Sequence, residues 1–324
     1  MLTRRELLLL LGAAAGPASL ARAQAAPYPN KPIRIIVATI PGSGPDIAVR
    51  KLTPLLAETI RQPFIVDNKP GGNGIIATVE LMKAPRDGYT LLNANIGNAL
   101  NDILRPGSGP RMFDDLIPVT DLTAGALMLL VNSELPVRTA KELIDYAKAK
   151  PGVLNYGSGG PGSLIQLTGE RLKLSAGVDI REVPYRSFGA DIVDLVAGHV
   201  QVGFTPWSLI EQHVKSGKVR ALAVASERRS PVTPDIPTFA EAGIGPISAT
   251  GWNGIFAPAG TPPEIVQLLS RTMAAAVQRP EYRDFFTKDG GEVGGKTPEQ
   301  FAAFIRGEQE RYRQVVTAAN IKVE

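Results

Sequence analysis

Short apolar runs alternate with amphipathic stretches along most of the chain. Residues 31–38 (KPIRIIVA) and 127–131 (LMLLV) have strand length and the apolar character typical of strands buried on both faces of a sheet. Residues 46–60 instead place apolar side chains three or four positions apart, which predicts a helix with one buried face. Pro54 lies inside that helix and is expected to bend or interrupt it.

The alternation continues to the end of the chain and predicts an α/β architecture. We expect further strands at 64–66, 89–92, 153–156, 181–185, 200–204, 219–225 and 252–257, and further helices at 74–83, 139–150, 163–174, 190–197, 208–215, 261–278, 282–288 and 297–318. Capping boxes are predicted for Thr139 with Glu142, Thr261 with Glu264, and Thr297 with Gln300.

The first residues have the pattern of an export signal. Residues 3–5 (TRR) carry two positive charges, and the apolar run at 7–15 is too short to cross a bilayer. Small residues flank possible cleavage points after Ala23 and Ala25. We therefore predict that residues 1–23 are removed and that the mature chain is periplasmic, by either the general or the twin-arginine route. A cytoplasmic protein with a buried first helix is the alternative.

Composition narrows the classes of partner and cofactor. The chain has 324 residues, enough for two domains, and 35 Lys and Arg against 31 Asp and Glu give a formal charge of +4. No basic cluster is visible, so a nucleic-acid partner is not expected. Cysteine is absent, and the only histidines are His199 and His213, which argues against thiolate and imidazole-rich metal sites. We expect neither a metal nor a cofactor.

Two glycine-rich segments match nucleotide-binding motifs. Residues 290–297 (GGEVGGKT) fit the P-loop pattern, but a helix rather than a strand is predicted before them, and Thr297 with Pro298 suits a helix start. Residues 157–162 (GSGGPG) fit the dinucleotide pattern, with Asp179 and Glu182 about twenty residues further on. ATP and NAD, the nucleotides that these two motifs bind, are scarce outside the cytoplasm. The second segment still predicts backbone N–H groups at a helix start, which suit an anion; a tight turn without a ligand is the alternative.

Ser158 is a candidate nucleophile, but its surroundings argue against that role. Tyr156 stands where the serine-hydrolase elbow needs its first glycine. His199 and His213 are the only imidazoles that could serve as a base, and both are predicted at helix positions typical of solvated or capping residues.

Two more loops share the character of residues 156–163. Residues 41–46 (PGSGPD) join the first strand to the first helix, and residues 68–74 (NKPGGNG) join the second strand to the second helix. All three loops lie at the carboxyl ends of predicted strands, where open α/β sheets bind ligands. The sequence therefore predicts a cleft lined by backbone donors and small polar groups.

An ordered set of motifs resembles a known family. The motifs are residues 28–33 (YPNKPI), 40–46 (IPGSGPD), 67–74 (DNKPGGNG), 87–92 (DGYTLL), 183–186 (VPYR), 217–224 (GKVRALAV), 252–258 (WNGIFAP) and 297–301 (TPEQF). Together they resemble the substrate-binding proteins of tripartite tricarboxylate transporters, also called the Bordetella uptake gene (Bug) family.

The resemblance implies a two-lobed periplasmic binding protein of the Venus flytrap type, with two hinge crossovers near 127–131 and 247–252. Lobe one would comprise residues 27–127 plus 247–324, and lobe two residues 128–246. The chain would be a monomer that captures a small organic acid, either a di- or tricarboxylate or an aromatic carboxylate. It would deliver this ligand to integral membrane transporter subunits and would not be an enzyme. A sensor that presents the acid to a membrane kinase and an exported hydrolase using Ser158 are the alternatives.

The resemblance also implies a set of ligand-binding residues. Lobe one would contribute Pro41, Gly42, Ser43, Asp46, Asn73 and Gly74, and lobe two would contribute Ser158, Gly160, Ser163, Tyr185 and Ser187. Asp46 is the one acid of this set. It suits either a ligand amine or hydroxyl, or a capping role that orients the loop.

Overall fold

The computed structural model describes residues 28–107, 109–185 and 189–321. The export signal predicted at 1–23 and the candidate residue Ser187 lie outside these ranges. The helices are α1 (Gly44–Ile60), α2 (Ile75–Met82), α3 (Ile96–Leu104), α4 (Met112–Asp115), α5 (Ala140–Ala149), α6 (Leu164–Ala176), α7 (Ala190–Ala197), α8 (Trp207–Lys215), α9 (Pro263–Val277), α10 (Pro280–Thr287) and α11 (Pro298–Ala318), with a 3₁₀ turn at Gly72–Gly74.

The strands confirm the α/β architecture. They are β1 (Ile33–Val37), β2 (Phe64–Asn68), β3 (Thr90–Asn95), β4 (Leu116–Asn132), β5 (Asn155–Ser158), β6 (Arg181–Pro184), β7 (Val202–Pro206), β8 (Val219–Val224), β9 (Thr250–Pro258) and β10 (Glu292–Val293). Within the described residues, eight of them follow the order β2-β1-β3-β9-β4-β7-β5-β6, while β8 and β10 also pair with β4.

Strand β4 is long and serves two sheet regions in turn. Its first part, residues 116–126, pairs with β9, and its last part, residues 127–132, pairs with β7 and β8. Strands β1, β2 and β3 are parallel to one another on one side, and β5, β6 and β7 are parallel on the other. The two groups of parallel strands are therefore joined through β4.

The buried apolar side chains form separate clusters that follow this division. One cluster lies within residues 127–249 and is centred on β4, β5 and β7. Another combines residues from 36–116 with residues from 252–315. The second cluster also includes Leu167 of α6, so that helix packs against the core formed by β9 and α11.

Helix α1 runs through Pro54 without a break, so of the two expected effects, a bend or an interruption, the interruption does not occur. Proline removes one backbone donor and leaves the carbonyl four residues earlier without its helical partner. That carbonyl belongs to Arg50, and the hydroxyl of Thr53 donates to it at 3.4 Å. A side-chain bond therefore replaces part of what Pro54 removes.

The capping predictions had mixed outcomes. Thr297 and Gln300 form the predicted reciprocal box at the start of α11. Thr139 caps α5 as predicted, but Glu142 accepts from the backbone N–H of Arg138 rather than that of Thr139. The box at Thr261 was wrong: α9 begins one residue later, after Pro262, and the Thr261 hydroxyl donates to the carbonyl of Pro258.

Candidate ligand-binding site

The two groups of parallel strands end opposite each other along β4. The carboxyl end of β3, at Asn95, is in register with Asn253 of β9, which is in register with Thr123 of β4. The carboxyl end of β7, at Pro206, is in register with Leu127 of β4. Thr123 and Leu127 are four residues apart, about 13 Å along a strand. The loops after β1, β2 and β3 thus point toward the loops after β5, β6 and β7, across the middle of β4.

The loop after β1 is shaped by Asp46. This side chain is 2% exposed, and it accepts the backbone N–H of Gly42 at 2.8 Å, the amide of Asn68 at 2.9 Å and Nε of Arg50 at 3.0 Å. Burial raises the pKa of Asp46, but the hydrogen bonds from Arg50, Gly42 and Asn68 outweigh it, so the pKa lies below its ordinary value. The carboxylate oxygens are used within the protein, which favours the loop-orienting role over direct contact with a ligand.

Ser43 leaves the start of α1 open. It occupies the N-cap position, but its hydroxyl donates to the carbonyl of Ile40 at 2.8 Å. The same hydroxyl lies 2.7 Å from the hydroxyl of Thr39. No side chain of the described residues caps the first turn of α1. Pro41, Gly42 and Gly44 beside it are exposed. In the first turn Pro45 has no N–H, Asp46 is buried and the N–H of Ile47 donates to the carbonyl of Ser43. The N–H of the exposed Gly44 is therefore the donor left beside this loop, at the positive end of a seventeen-residue helix.

The loop after β2 is fastened by asparagines that sequence reasoning missed. The amide of Asn98 donates to the carbonyl of Gly74 at 3.2 Å, and that of Asn101 donates to the carbonyl of Asn73 at 3.0 Å. Asn73 itself has φ of 53°, a left-handed conformation that asparagine tolerates. Helix α3, which carries Asn98 and Asn101, was not predicted, because Gly97 and these two asparagines weaken its helical pattern.

A buried polar chain links the strands at the centre of the sheet. The amide of Asn93 donates to the side-chain oxygen of Asn253 at 3.1 Å, and the amide of Asn253 donates to the hydroxyl of Thr123 at 2.5 Å. Both asparagines are buried. The sequence does contain a signal for these hydrogen bonds, namely an asparagine inside each of two apolar strands, because a buried polar group requires a hydrogen-bond partner.

The loop after β5 contains its own hydrogen-bonded network. Ser158 is fully buried; its hydroxyl donates to Glu182 and accepts the backbone N–H of Gly160 at 2.9 Å. Ser163 caps α6, accepting the N–H of Gln166 at 3.2 Å. The backbone N–H of Ser163 donates to the carbonyl of Gly160 at 3.1 Å. The structure thus brings Ser158, Gly160 and Ser163 into one compact turn.

Tyr185 follows β6 beside this turn, with its hydroxyl directed elsewhere. The hydroxyl donates to Asp194 of α7 at 2.6 Å. Burial, reinforced by that hydrogen bond, raises the pKa of Tyr185 to about 12. A methyl group on Gly157 would lie 3.1 Å from the tyrosine ring, so the ring packs against β5. No hydrogen bond among the described residues joins the loops after β5 and β6 to those after β1 and β2.

Ser158 does not lie in the catalytic arrangement of a serine hydrolase with either histidine. Ser158 is buried and its proton is donated to a carboxylate, so no imidazole accepts it. His199 is 72% exposed and pairs with Asp194, and His213 lies in the last turn of α8. A serine nucleophile needs an adjacent base and an accessible oxygen, and Ser158 has neither among the described residues.

The P-loop-like segment holds a carboxylate of the protein itself. Asp121 of β4 accepts the backbone N–H groups of Gly295 at 2.9 Å and Lys296 at 2.8 Å, and Nζ of Lys296 at 2.6 Å. The segment follows helix α10 rather than a buried strand, and it contains the two-residue strand β10. The groups that would cradle a phosphate are used to fasten the end of β10 to β4.

Comparisons with known proteins identify the family. The profile of a family described as tripartite tricarboxylate transporter family receptor matches residues 48–321. Protein BugT of Bordetella pertussis is 33% identical to the chain over 299 residues, a match that covers 92% of each chain.

Solved structures agree with the sequence comparison. R. palustris Rpa4515 with adipate superimposes with a TM-score of 0.81 at 31% identity, covering 91% of this chain and 99% of that one. MatC from Rhodopseudomonas palustris with bound malate gives a TM-score of 0.77 at 28% identity, covering 89% of this chain and all of that one. Given a profile match over most of its length and a relative more than 30% identical, the chain belongs to the tripartite tricarboxylate transporter receptor family and is a solute-binding receptor with the two-lobed α/β fold.

Proposed function

We propose that the chain captures a small organic carboxylate, most simply a dicarboxylate, between two lobes and presents it to a membrane transporter. The carboxylate would lie between the loop after β1 and the loop after β5. The observation that carries this proposal is the opposed arrangement of the strand ends across residues 123–127, with the first turn of α1 left uncapped.

The physical basis is the attraction of an anion to free backbone donors. The N–H groups at the start of a helix point along the axis toward a ligand, and the helix dipole favours negative charge there. Gly44 lies at that start, is exposed, and would allow a ligand oxygen to come close to the backbone. Direct and water-bridged bonds to an ionised carboxylate are strong enough to hold it without a cationic side chain.

The relatives support the ligand class. One structural neighbour was solved with adipate and another with malate. Both compounds are dicarboxylates, and two opposed loop groups match a ligand with an anionic group at each end. The candidate residues Pro41, Gly42, Ser43, Asn73, Gly74, Gly160 and Ser163 remain proposed contacts or supports of this site.

The lobe boundaries remain the ones predicted from the resemblance. Lobe one would comprise the described part of residues 27–127 and 247–324, and lobe two residues 128–246. The apolar clusters support this division, since one draws on 127–249 and the other mainly on 36–116 and 252–315. Strands β4 and β9 would then form the hinge.

Location and delivery follow from the same family. The predicted signal at 1–23 supports a periplasmic location, and within the described ranges no helix has the length and apolar character needed to cross a bilayer. The membrane transporter subunits are the proposed partners, and the receptor would act as a monomer without catalysing a reaction.

The test is calorimetric titration of the mature chain with adipate, malate and the uncharged diamide of adipate. We expect a carboxylate to bind and the diamide to fail, because the open amides select an ionised acceptor. Binding at a hundred times the dissociation constant should raise the unfolding free energy by about 2.7 kcal/mol. Folded protein that binds none of a broad panel of mono-, di- and tricarboxylates would overturn the proposal.

A matched pair of variants locates the site. Gly44→Asp places a negative charge at the start of α1, where a side chain meets no atom within 4 Å. The charge should favour the helix but repel an incoming carboxylate, by about 1 to 4 kcal/mol at 4 Å separation. Gly44→Asn has nearly the same shape without the charge. Equal affinity of the two variants would exclude the start of α1 as the anion site.

A further inference from the structure

The turn after β5 depends on an acidic side chain outside the candidate site. The carboxylate of Glu182, on the neighbouring strand β6, accepts the hydroxyl of Ser158 through one oxygen and the amide nitrogen of Gln166 through the other, at 2.8 Å for the latter. Both donors are uncharged. Ser158 and Gln166 in turn accept the backbone N–H groups of Gly160 at 2.9 Å and Gly162 at 2.7 Å.

The direction of every bond in this network follows from the carboxylate. An ionised carboxylate only accepts hydrogen bonds, so Ser158 must donate its single proton to Glu182 and use a lone pair for Gly160. Gln166 must likewise turn its NH₂ group toward Glu182, which leaves its oxygen for Gly162. The arrangement thus sets which loop amides are occupied before any ligand arrives.

We propose that Glu182 is a positioning residue for the ligand-binding turn: acting through Ser158 and Gln166, it holds the amides of Gly160 and Gly162 inward and so presets the shape of the loop. The amide of Gly159, immediately before the first of these two anchored amides, has no acceptor among the described residues and is left for the ligand side. The link to ligand binding rests on the proposed function, whereas the preset shape of the loop does not.

A change of Glu182 to glutamine should break this network with little change in volume. The new NH₂ group would face either the NH₂ of Gln166 or the hydroxyl of Ser158. In the first case two donors meet, and turning Gln166 over only moves the conflict to the N–H of Gly162. In the second case the proton of Ser158 loses its acceptor. Each orientation leaves one buried donor unsatisfied.

The exchanged double variant should restore the network. With Glu182→Gln and Gln166→Glu together, the glutamine at 182 donates to the new carboxylate and accepts from Ser158. The new carboxylate at 166 accepts from Gly162, so every donor again has an acceptor. If Glu182 only filled space, or if only the position of its charge mattered, the second substitution would not restore what Glu182→Gln loses.

The first readout needs no ligand. Amide hydrogen exchange of Gly160 and Gly162, followed by NMR in the ligand-free mature chain, should accelerate by at least about tenfold in Glu182→Gln, the factor that corresponds to 1.4 kcal/mol. The double variant should return both amides to near wild-type rates. Glu170→Gln is the matched control: Glu170 lies on α6, is largely buried, and accepts from Tyr156 and Lys173 but from no loop amide.

The second readout is calorimetric affinity for adipate and malate. The Glu182→Gln affinity should fall by about tenfold or more and recover in the double variant, while Glu170→Gln stays near wild type. Unchanged exchange of Gly160 and Gly162 in Glu182→Gln, or no recovery in the double variant, would overturn the positioning role. If Glu182→Gln does not fold, a folded double variant supports the inference and an unfolded one contradicts it.

The two proposals fail in different ways. Wild-type chain that shows the expected exchange pattern but binds no carboxylate would end the proposed function and leave the positioning role intact. If the wild-type chain binds a carboxylate but neither amide exchange nor affinity changes in Glu182→Gln, the positioning role ends and the proposed function stays intact.

Discussion

Replacement of Asp46 by asparagine should cost stability rather than change ligand preference. Asparagine keeps the shape of the side chain but replaces one acceptor oxygen by a donor. Both oxygens of Asp46 are engaged: one accepts from Asn68 and Arg50, and the other from Gly42 and Arg50. Whichever oxygen becomes NH₂, a donor then faces a donor at a site that is 2% exposed.

The size of the loss follows from the burial of the partners. Removing one member of a fully buried ion pair costs about 3–5 kcal/mol, but Arg50 is 50% exposed and can be rehydrated. An unsatisfied buried donor costs about 1–3 kcal/mol. We therefore expect Asp46→Asn to lower the free energy of unfolding by about 2–3 kcal/mol at neutral pH.

The loss should depend on pH with a definite sign. Because the hydrogen bonds outweigh burial, the folded-state pKa of Asp46 lies below its ordinary value of 3.8. The stabilisation is therefore fully present above the unfolded-state pKa and is lost as the pH falls through the lower folded-state value. The difference between wild type and Asp46→Asn should shrink below about pH 4.

Urea unfolding followed by circular dichroism measures this difference across pH 3–7. Glu80→Gln is the control, since Glu80 pairs with Arg34 in the same region but is 36% exposed, and exposed pairs contribute about 0–1 kcal/mol. A loss for Asp46→Asn no larger than that of the control would refute the reasoning. So would an altered rank order of carboxylate ligands without a change in stability, which would mean that Asp46 contacts the ligand.

Three further substitutions test other parts of the structure. Gly74→Ala should lower the unfolding free energy by about 2–4 kcal/mol, because φ there is +87° and the new methyl group would lie 2.2 Å from Asn98; a loss under about 1 kcal/mol would contradict the loop geometry. Tyr185→Phe should raise the pKa of Asp194, which the tyrosine hydroxyl holds below its usual range, and an unchanged carboxyl titration by NMR would contradict that bond. Burial raises the pKa of Glu308 despite nearby guanidinium groups, so the wild type should lose stability relative to Glu308→Gln as the pH rises above 4.5, and a difference independent of pH would be the opposing result.

The strand and helix pattern was largely predictable because each element carries its own period. Apolar runs and amphipathic stretches are local properties, and most predicted elements lie within a few residues of their observed bounds. Helix α3 and the first half of β4 were missed. Both contain buried polar side chains, Asn98 in the first and Asp121 in the second, whose partners come from distant segments and cannot be seen in a local pattern.

The candidate site was predictable as a set of glycine-rich loops at strand ends. The hydrogen-bond acceptors of the backbone amides in those loops could not be predicted. The motif led us to expect the N–H groups of Gly42 and Gly160 to face a ligand, whereas the structure gives them acceptors in Asp46 and Ser158. A glycine turn in sequence shows that the backbone is free to bend, but not which acceptor its donors will meet.

Local chemistry along the chain was thus enough to establish the α/β architecture, the positions of the loops and, through the ordered motifs, the family. The direction of each donor and acceptor was settled by packing between segments far apart in the chain: Glu182 lies 24 residues after Ser158, and Asp121 is bonded to Lys296 across 175 residues. Hydrogen bonds are short-ranged and directional, so their partners are fixed only when the folded chain brings strands and loops within about 3 Å.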